Sequence, residues 1–92
     1  MAAQPFVPHT ERHDLHGMTV VVDTPGRLYV GRLDTADDRE VVLKDVGYHD
    51  DEATRSEFLS RTLKFGVTRR DAVVILPTSG VRSVQLLAAL AR

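Results

Sequence analysis

Residues 18–46 read MTVVVDTPGRLYVGRLDTADDREVVLKDV, and this stretch decides the fold of the chain. Three β-rich runs in it are predicted to be strands, at Met18–Asp23, Arg27–Asp34 and Arg39–Val46. Turn-forming residues separate them, because Thr24-Pro25-Gly26 follows the first run and the polar residues 35–38 follow the second. The stretch therefore predicts a hairpin that continues into a third strand.

The second run has the alternation of a strand with two different faces. Leu28 and Val30 point to one side of it, and Tyr29 and Leu33 point to the other. Gly31 lies in the middle of the run, where a missing side chain allows a strongly bent strand or the close approach of a neighbouring backbone. A merely tolerated glycine is the alternative interpretation of this position.

The hydrophobic period changes after the third strand. The segment DDEATRSEFLSRTLKFG, residues 50–66, begins with acidic residues at Asp50 or Asp51 and ends at Gly66, with basic residues late in the segment. These features predict a helix over 52–65. Its apolar face is predicted to consist of Phe58, Leu59, Thr62 and Leu63, with Glu57 and Arg61 exposed.

Two further β-rich runs follow the helix, at Asp71–Leu76 and Val81–Leu87, and Pro77-Thr78-Ser79-Gly80 connects them. The element order is thus three strands, one helix and two strands. We predict a mainly β protein, a five-stranded small open barrel with one helix inserted between strands three and four. The barrel is expected to span 15–90, after a flexible lead-in at 1–14.

Composition limits the possible functions. The chain has 92 residues, 12 Lys and Arg against 13 Asp and Glu, and no cysteine. A weak overall field gives no general signature of polyanion binding, so a nucleic-acid role would need a local basic patch. A core of this size is only marginally self-sufficient, which makes oligomerisation plausible. We find no membrane-spanning run and no signal-peptide pattern, and we expect a cytoplasmic setting.

Three stretches resemble motifs of the Sm/LSm family of small β-barrels. Leu15 to Val20 is similar to the opening L-x-G-x-x-V of that family. Gly31-Arg32-Leu33 resembles the G-x-L that follows in that family, and Asp37 resembles the Asp of its next turn, which is one residue shorter here. The run from Val41 to Asp45 resembles the hydrophobic stretch after that turn, and Ile75 to Val84 resembles the second motif of the family. The resemblance covers roughly 15–47 and 71–87 and implies an Sm-like barrel that forms a ring. A PRC-type or other Src-homology-like barrel is the alternative fold.

The resemblance also implies a site for uridine-rich RNA, made by an Asn after the Asp-containing turn and by an Arg-Gly pair at the second motif. Here Glu40 stands in the place of that Asn, and Pro77-Thr78 replaces the Arg-Gly pair. A carboxylate repels phosphates, and the lost arginine would have supplied a stacking plane and a positive charge. We therefore expect weak RNA binding at this place.

The remaining candidates for chemistry are less specific. Four histidines at 9, 13, 16 and 49 could suggest a metal, but three of them belong to the N-terminal part of the chain, so we expect none to bind one. The carboxylates between Asp34 and Glu40 lack the spacing of a calcium loop and predict a solvated turn. The sequence has no nucleophile elbow and no glycine-rich phosphate loop, so no cofactor and no enzymatic activity are expected.

Arg69 and Arg70, with Lys64 and Arg82 elsewhere, form the best basic cluster of the sequence. They could contact phosphates, or they could simply pair with Asp71 and carboxylates of the helix. The candidate nucleic-acid-binding residues are thus Asp37, Arg39, Glu40, Thr78, Ser79, Arg69 and Arg70. The leading hypothesis is a non-enzymatic Sm-like protein that forms a homo-oligomeric ring by strand-edge pairing and binds single-stranded RNA. The alternative is a protein-interaction module that binds no RNA.

Overall fold

The computed structural model describes residues 15–90. Its strands and helix are Thr19–Asp23 (β1), Leu28–Ala36 (β2), Glu40–His49 (β3), Arg55–Phe65 (α1), Asp71–Pro77 (β4) and Ser83–Leu86 (β5). Short 3-10 turns occupy Glu52–Thr54, Thr78–Gly80 and Ala88–Leu90. The predicted order of three strands, one helix and two strands is confirmed, and the first three residues of the predicted helix form a 3-10 turn.

All five strands belong to one antiparallel sheet with the order β4-β3-β2-β1-β5. The hairpin of β1 and β2 places Val22 opposite Tyr29, and the strand β5 joins the far side of β1 with Val84 opposite Val22. The strands β4 and β5 do not pair with each other, so the barrel is open and each of these strands is a free edge.

A bulge in β3 explains why this strand is longer than predicted. Lys44 pairs with Arg32 and Gly47 pairs with Val30, so Asp45 and Val46 together oppose Gly31. Asp45 has a φ of 53°, and a Cβ on Gly31 would lie 3.0 Å from the Lys44 carbonyl oxygen. The predicted use of Gly31 for close backbone approach is confirmed. The predicted end of the strand at Val46 was wrong, because the bulge reverses the alternation and β3 continues to His49.

The sheet buries apolar side chains on both of its faces. The interior of the barrel holds Val20, Val22, Leu33, Val41, Leu43, Val46, Leu76 and Val84. The outer face carries Val21, Leu28 and Val30, against which Phe58, Leu59, Val67, Leu87 and Leu90 pack. The predicted two faces of β2 are confirmed, since Leu28 and Val30 face the helix while Tyr29 and Leu33 face the interior.

The helix α1 packs through Phe58, Leu59 and Thr62, of which Thr62 is buried. Leu63, predicted to lie on the same face, is 37% exposed and Phe65 is 76% exposed. The stripe that faces the sheet follows positions 58, 59 and 62, which leaves Leu63 at its margin. No helix within residues 15–90 is long and apolar enough to cross a bilayer.

The beginning of the helical segment is tied to the hairpin of β1 and β2. The Asp51 carboxylate accepts a hydrogen bond from the Ala53 N–H at 3.0 Å and caps the 3-10 turn. Arg55, with a side chain only 14% exposed, donates to the Asp23 carboxylate at 2.6 Å and to the Thr24 carbonyl at 2.9 Å. Arg82 donates to the same Asp23 oxygen at 3.0 Å. This shared carboxylate therefore joins the hairpin, the helix and the start of β5.

Candidate nucleic-acid interface

Five of the seven candidate residues lie together where β3 begins and β4 ends. We call Asp37, Arg39, Glu40, Thr78 and Ser79 the loop site. The Thr78 N–H donates to the Arg39 carbonyl at 3.0 Å, and the Thr78 hydroxyl donates to the Asp37 carbonyl at 2.8 Å. Glu40 pairs with Pro77 across the two strands. Ser79 is exposed in the 3-10 turn that follows. The turn after β2 and the turn after β4 thus form one surface.

Backbone hydrogen bonds organise the first turn of the loop site. The Asp37 carboxylate accepts from the N–H groups of Arg39 and Glu40 at 2.8 and 2.9 Å. These two bonds hold the pKa of Asp37 below its ordinary value. Asp37, Asp38 and Glu40 are all exposed, and Arg39 is the one basic residue of the turn. The loop site therefore presents mainly negative charge to an approaching polyanion.

The other two candidates lie at the opposite end of β3. The Arg70 N–H donates to the Val46 carbonyl at 2.7 Å, and the Arg69 side chain lies 3.6 Å from the Asp45 carboxylate. Six residues of strand separate Val46 from Glu40, which corresponds to about 20 Å. The candidate set thus divides into two separate places, one at each end of β4.

Arg70 belongs to a cluster of arginines and tyrosines, and we call Arg27, Tyr29, Tyr48 and Arg70 the Arg–Tyr cluster. The Arg27 guanidinium lies 3.9 Å from the centre of the Tyr48 ring, and that of Arg70 lies 4.9 Å from it. Tyr29 meets Tyr48 edge to face, with ring centres 6.1 Å apart. Two cation–π contacts on one ring hold both guanidinium groups in place.

Asp50 orients Arg27 within this cluster. The Arg27 Nε donates to one Asp50 carboxylate oxygen at 2.5 Å, and its Nη2 reaches the other at 3.3 Å. The hydrogen bond to Asp50 raises the pKa of Arg27, so its charge is constant over the working pH range. Sequence reasoning did not single out Arg27, Tyr29 and Tyr48 as a cluster. The signal would have been the cross-strand pairing of Tyr29 with Tyr48, which depends on the position of the bulge.

Asp45 and His49 contact residues outside the two candidate places. Asp45 forms ion pairs with Arg32 and Arg69, and the hydrogen bond from Arg32 lowers its pKa. His49 stacks on Phe58 with ring centres 4.9 Å apart, and its Nε2 lies 2.7 Å from the Thr54 hydroxyl. Within 15–90 no group of three His, Cys, Asp or Glu side chains could hold a metal ion. His9 and His13 lie outside the described residues.

An open five-stranded antiparallel barrel, whose turns after β2 and β4 meet at one end, is the Sm-like fold. The similarity to solved structures supports this assignment. The chain superposes on the Sm protein of Pyrococcus abyssii, solved in complex with a uridine heptamer, with a TM-score of 0.58 and 22% identity. The match covers 80% of this chain and 89% of that protein. No protein-family model and no curated protein gives a significant match to the sequence.

Proposed function

We propose that the protein is a non-enzymatic Sm-like protein that assembles into a closed homo-oligomeric ring and binds single-stranded RNA. The observation that carries the proposal is the pair of free edges, β4 and β5, at the two ends of one sheet. Unpaired edges present rows of backbone donors and acceptors. Pairing of β4 in one copy with β5 in the next satisfies both edges, and such a head-to-tail contact forms a ring when the rotation between copies closes.

The composition of β4 supports this use of the edge. Its outward side chains Val73 and Ile75 are 51% and 61% exposed, and they are among the most exposed large apolar residues of the described chain. The strand has no lysine, and its one proline, Pro77, lies at its last position, so nothing within the strand discourages pairing. The edge strand is therefore suited to a second copy of the chain.

The test of assembly is sedimentation of the purified full chain over a range of concentrations. We expect one discrete species whose mass is several times the monomer mass of 10.2 kDa. The double variant Val73→Lys/Ile75→Lys places charge beside the edge at two exposed positions, and we expect it to sediment as a monomer with an unchanged circular dichroism spectrum. Leu63→Lys, at an exposed helix position, is the matched control and should keep the wild-type mass. A wild-type protein that is monomeric at every concentration would contradict the ring.

RNA binding at the loop site is expected to be weak. The exposed carboxylates of Asp37, Asp38 and Glu40 repel phosphates, and Pro77-Thr78 offers no guanidinium for stacking. Anisotropy titrations with a short uridine-rich RNA at two salt concentrations measure this. Glu40→Asn removes one negative charge and should tighten binding. Tight, salt-insensitive binding by the wild type that Arg69→Ala/Arg70→Ala does not weaken would show that the loop site is intact.

A protein-interaction module is the second candidate, because Phe65 is 76% exposed at the end of the helix. Aromatic residues are enriched at protein–protein interfaces. If the wild type binds no RNA at either salt concentration, and Phe65→Ser abolishes capture of a defined protein partner that the wild type retains, this candidate replaces the RNA proposal.

A further inference from the structure

We propose that the Arg–Tyr cluster is a second RNA-binding site, which takes unpaired bases by stacking on arginine and holds the adjacent phosphates with guanidinium N–H groups. The proposal rests on the proposed function only in taking RNA as the nucleic acid. The Arg–Tyr cluster lies at the opposite end of β3 from the loop site, and the two sites share no residue.

The first argument is the geometry of the two arginines. The guanidinium carbon of Arg27 lies 3.9 Å from the centre of the Tyr48 ring, and that of Arg70 lies 4.9 Å from it. The opposite face of a stacked guanidinium is a flat cationic surface, and unpaired bases stack on such surfaces in RNA complexes. Because both guanidinium groups already contact Tyr48, these side chains lose little conformational entropy when a base binds.

The second argument is charge and exposure. Arg70 is exposed, and among the described residues it has no carboxylate within salt-bridge distance. The neighbouring residue Arg69 is 60% exposed. Its side chain lies 3.6 Å from the Asp45 carboxylate, which also pairs with Arg32. Arg27 and Arg70 therefore meet at Tyr48, and Asp50 offsets one of their two positive charges. Arg70 and Arg69 retain donors that a phosphate can use.

The third argument concerns the kind of ligand. Arg70 is exposed and Tyr48 is half-buried, so an extended strand with exposed bases can reach the cluster. A duplex hides its bases from a stacking surface, whereas a single strand offers them without cost in base pairing. The combination of aromatic rings with arginine also distinguishes this place from the loop site, which has neither an aromatic residue nor a surplus of positive charge.

The experiment compares three single variants of the full chain in anisotropy titrations with labelled uridine-rich and adenine-rich RNA. Arg70→Ala removes charge and stacking plane, and we expect it to weaken binding by about tenfold. Arg70→Lys restores the charge without the plane and should recover only part of the affinity. Arg61→Ala, a change of the same charge at an exposed helix position, is the matched control and should bind as the wild type does.

Four outcomes would overturn the site. These are absence of RNA binding by the wild type, equal affinities of Arg70→Ala and Arg61→Ala, full recovery by Arg70→Lys, and tighter binding of an acidic peptide than of RNA. Thermal melting of each variant checks that the fold is intact. The same preparations are also sedimented, so that the ring and the RNA site at the Arg–Tyr cluster are tested independently. A monomer whose RNA binding depends on Arg70 rejects the ring and keeps the site, whereas a ring whose RNA binding ignores Arg70 does the reverse.

Discussion

The two ends of β3 are built in different ways. At Glu40, the structure depends on short hydrogen bonds within one turn and on the contacts that Thr78 makes to Asp37 and Arg39. At His49, side chains from the hairpin, the helix and the segment before β4 converge on the end of one strand. The first end is a solvated turn that tolerates change, and the second is a packed junction. Substitutions at the two ends should therefore differ in cost.

The largest expected difference is between two glycines. Gly47 lies at the packed end, where an added Cβ would come within 2.6 Å of the Thr68 carbonyl oxygen. Because that atom is backbone, Gly47→Ala must displace the segment that carries Arg69 and Arg70, and we expect a loss of roughly 1–3 kcal/mol in the free energy of unfolding. Urea denaturation followed by circular dichroism measures the loss.

Gly80, in the turn after β4, is the matched control. An added Cβ there meets only the Pro77 ring, at 3.8 Å. We expect Gly80→Ala to change the free energy of unfolding by less than about 0.5 kcal/mol. Equal costs at the two glycines would contradict the distinction between a packed end and a solvated one. A stable Gly47→Ala variant with reduced RNA binding would instead show that the segment moves without unfolding the barrel.

Two leucines of α1 give a smaller difference in stability between a packed position and an exposed one. Leu59 packs against the outer face of the sheet, whereas Leu63 is 37% exposed. Leu59 is only half-buried, so truncation to alanine should cost about 1–2 kcal/mol, less than for a fully buried leucine. Leu63→Ala should cost well under half of that. A melting midpoint unchanged by Leu59→Ala would mean that the helix contributes little to the packed end.

The sequence predicted the regular part of this molecule and missed its irregular part. Alternation in β1 and β2 and the change of period before α1 depend on local pattern, and both predictions were confirmed. The bulge depends on one aspartate, Asp45, in a left-handed conformation, which no local pattern indicated. Every contact beyond the bulge, including that of Tyr29 with Tyr48, follows from the shifted register. The division of the candidate site into two places has a different cause, because β4 separates Arg69 and Arg70 from Thr78 and Ser79.

Two carboxylates provide the smallest and most specific test. The pKa of Asp37 is lowered mainly by backbone N–H donors, and that of Asp45 mainly by the Arg32 side chain. Both groups have a folded pKa below the unfolded one. Each therefore contributes stability that is complete above the ordinary aspartate pKa and is lost as the pH falls through the lower folded value. Asp37→Asn and Asp45→Asn should each reduce the slope of stability against pH in this acidic range.

Titration of the two carboxyl groups by nuclear magnetic resonance separates the two causes. Arg32→Ala should raise the pKa of Asp45 towards its ordinary value and leave that of Asp37 unchanged, because Asp37 owes its shift to its own turn. Added salt should raise the pKa of Asp45 more than that of Asp37, since it screens an exposed ion pair more than it weakens hydrogen bonds from a rigid backbone turn. If salt raised both pKa values equally, the Asp37 turn would not be rigid in solution. The loop site would then have no fixed geometry for RNA to meet.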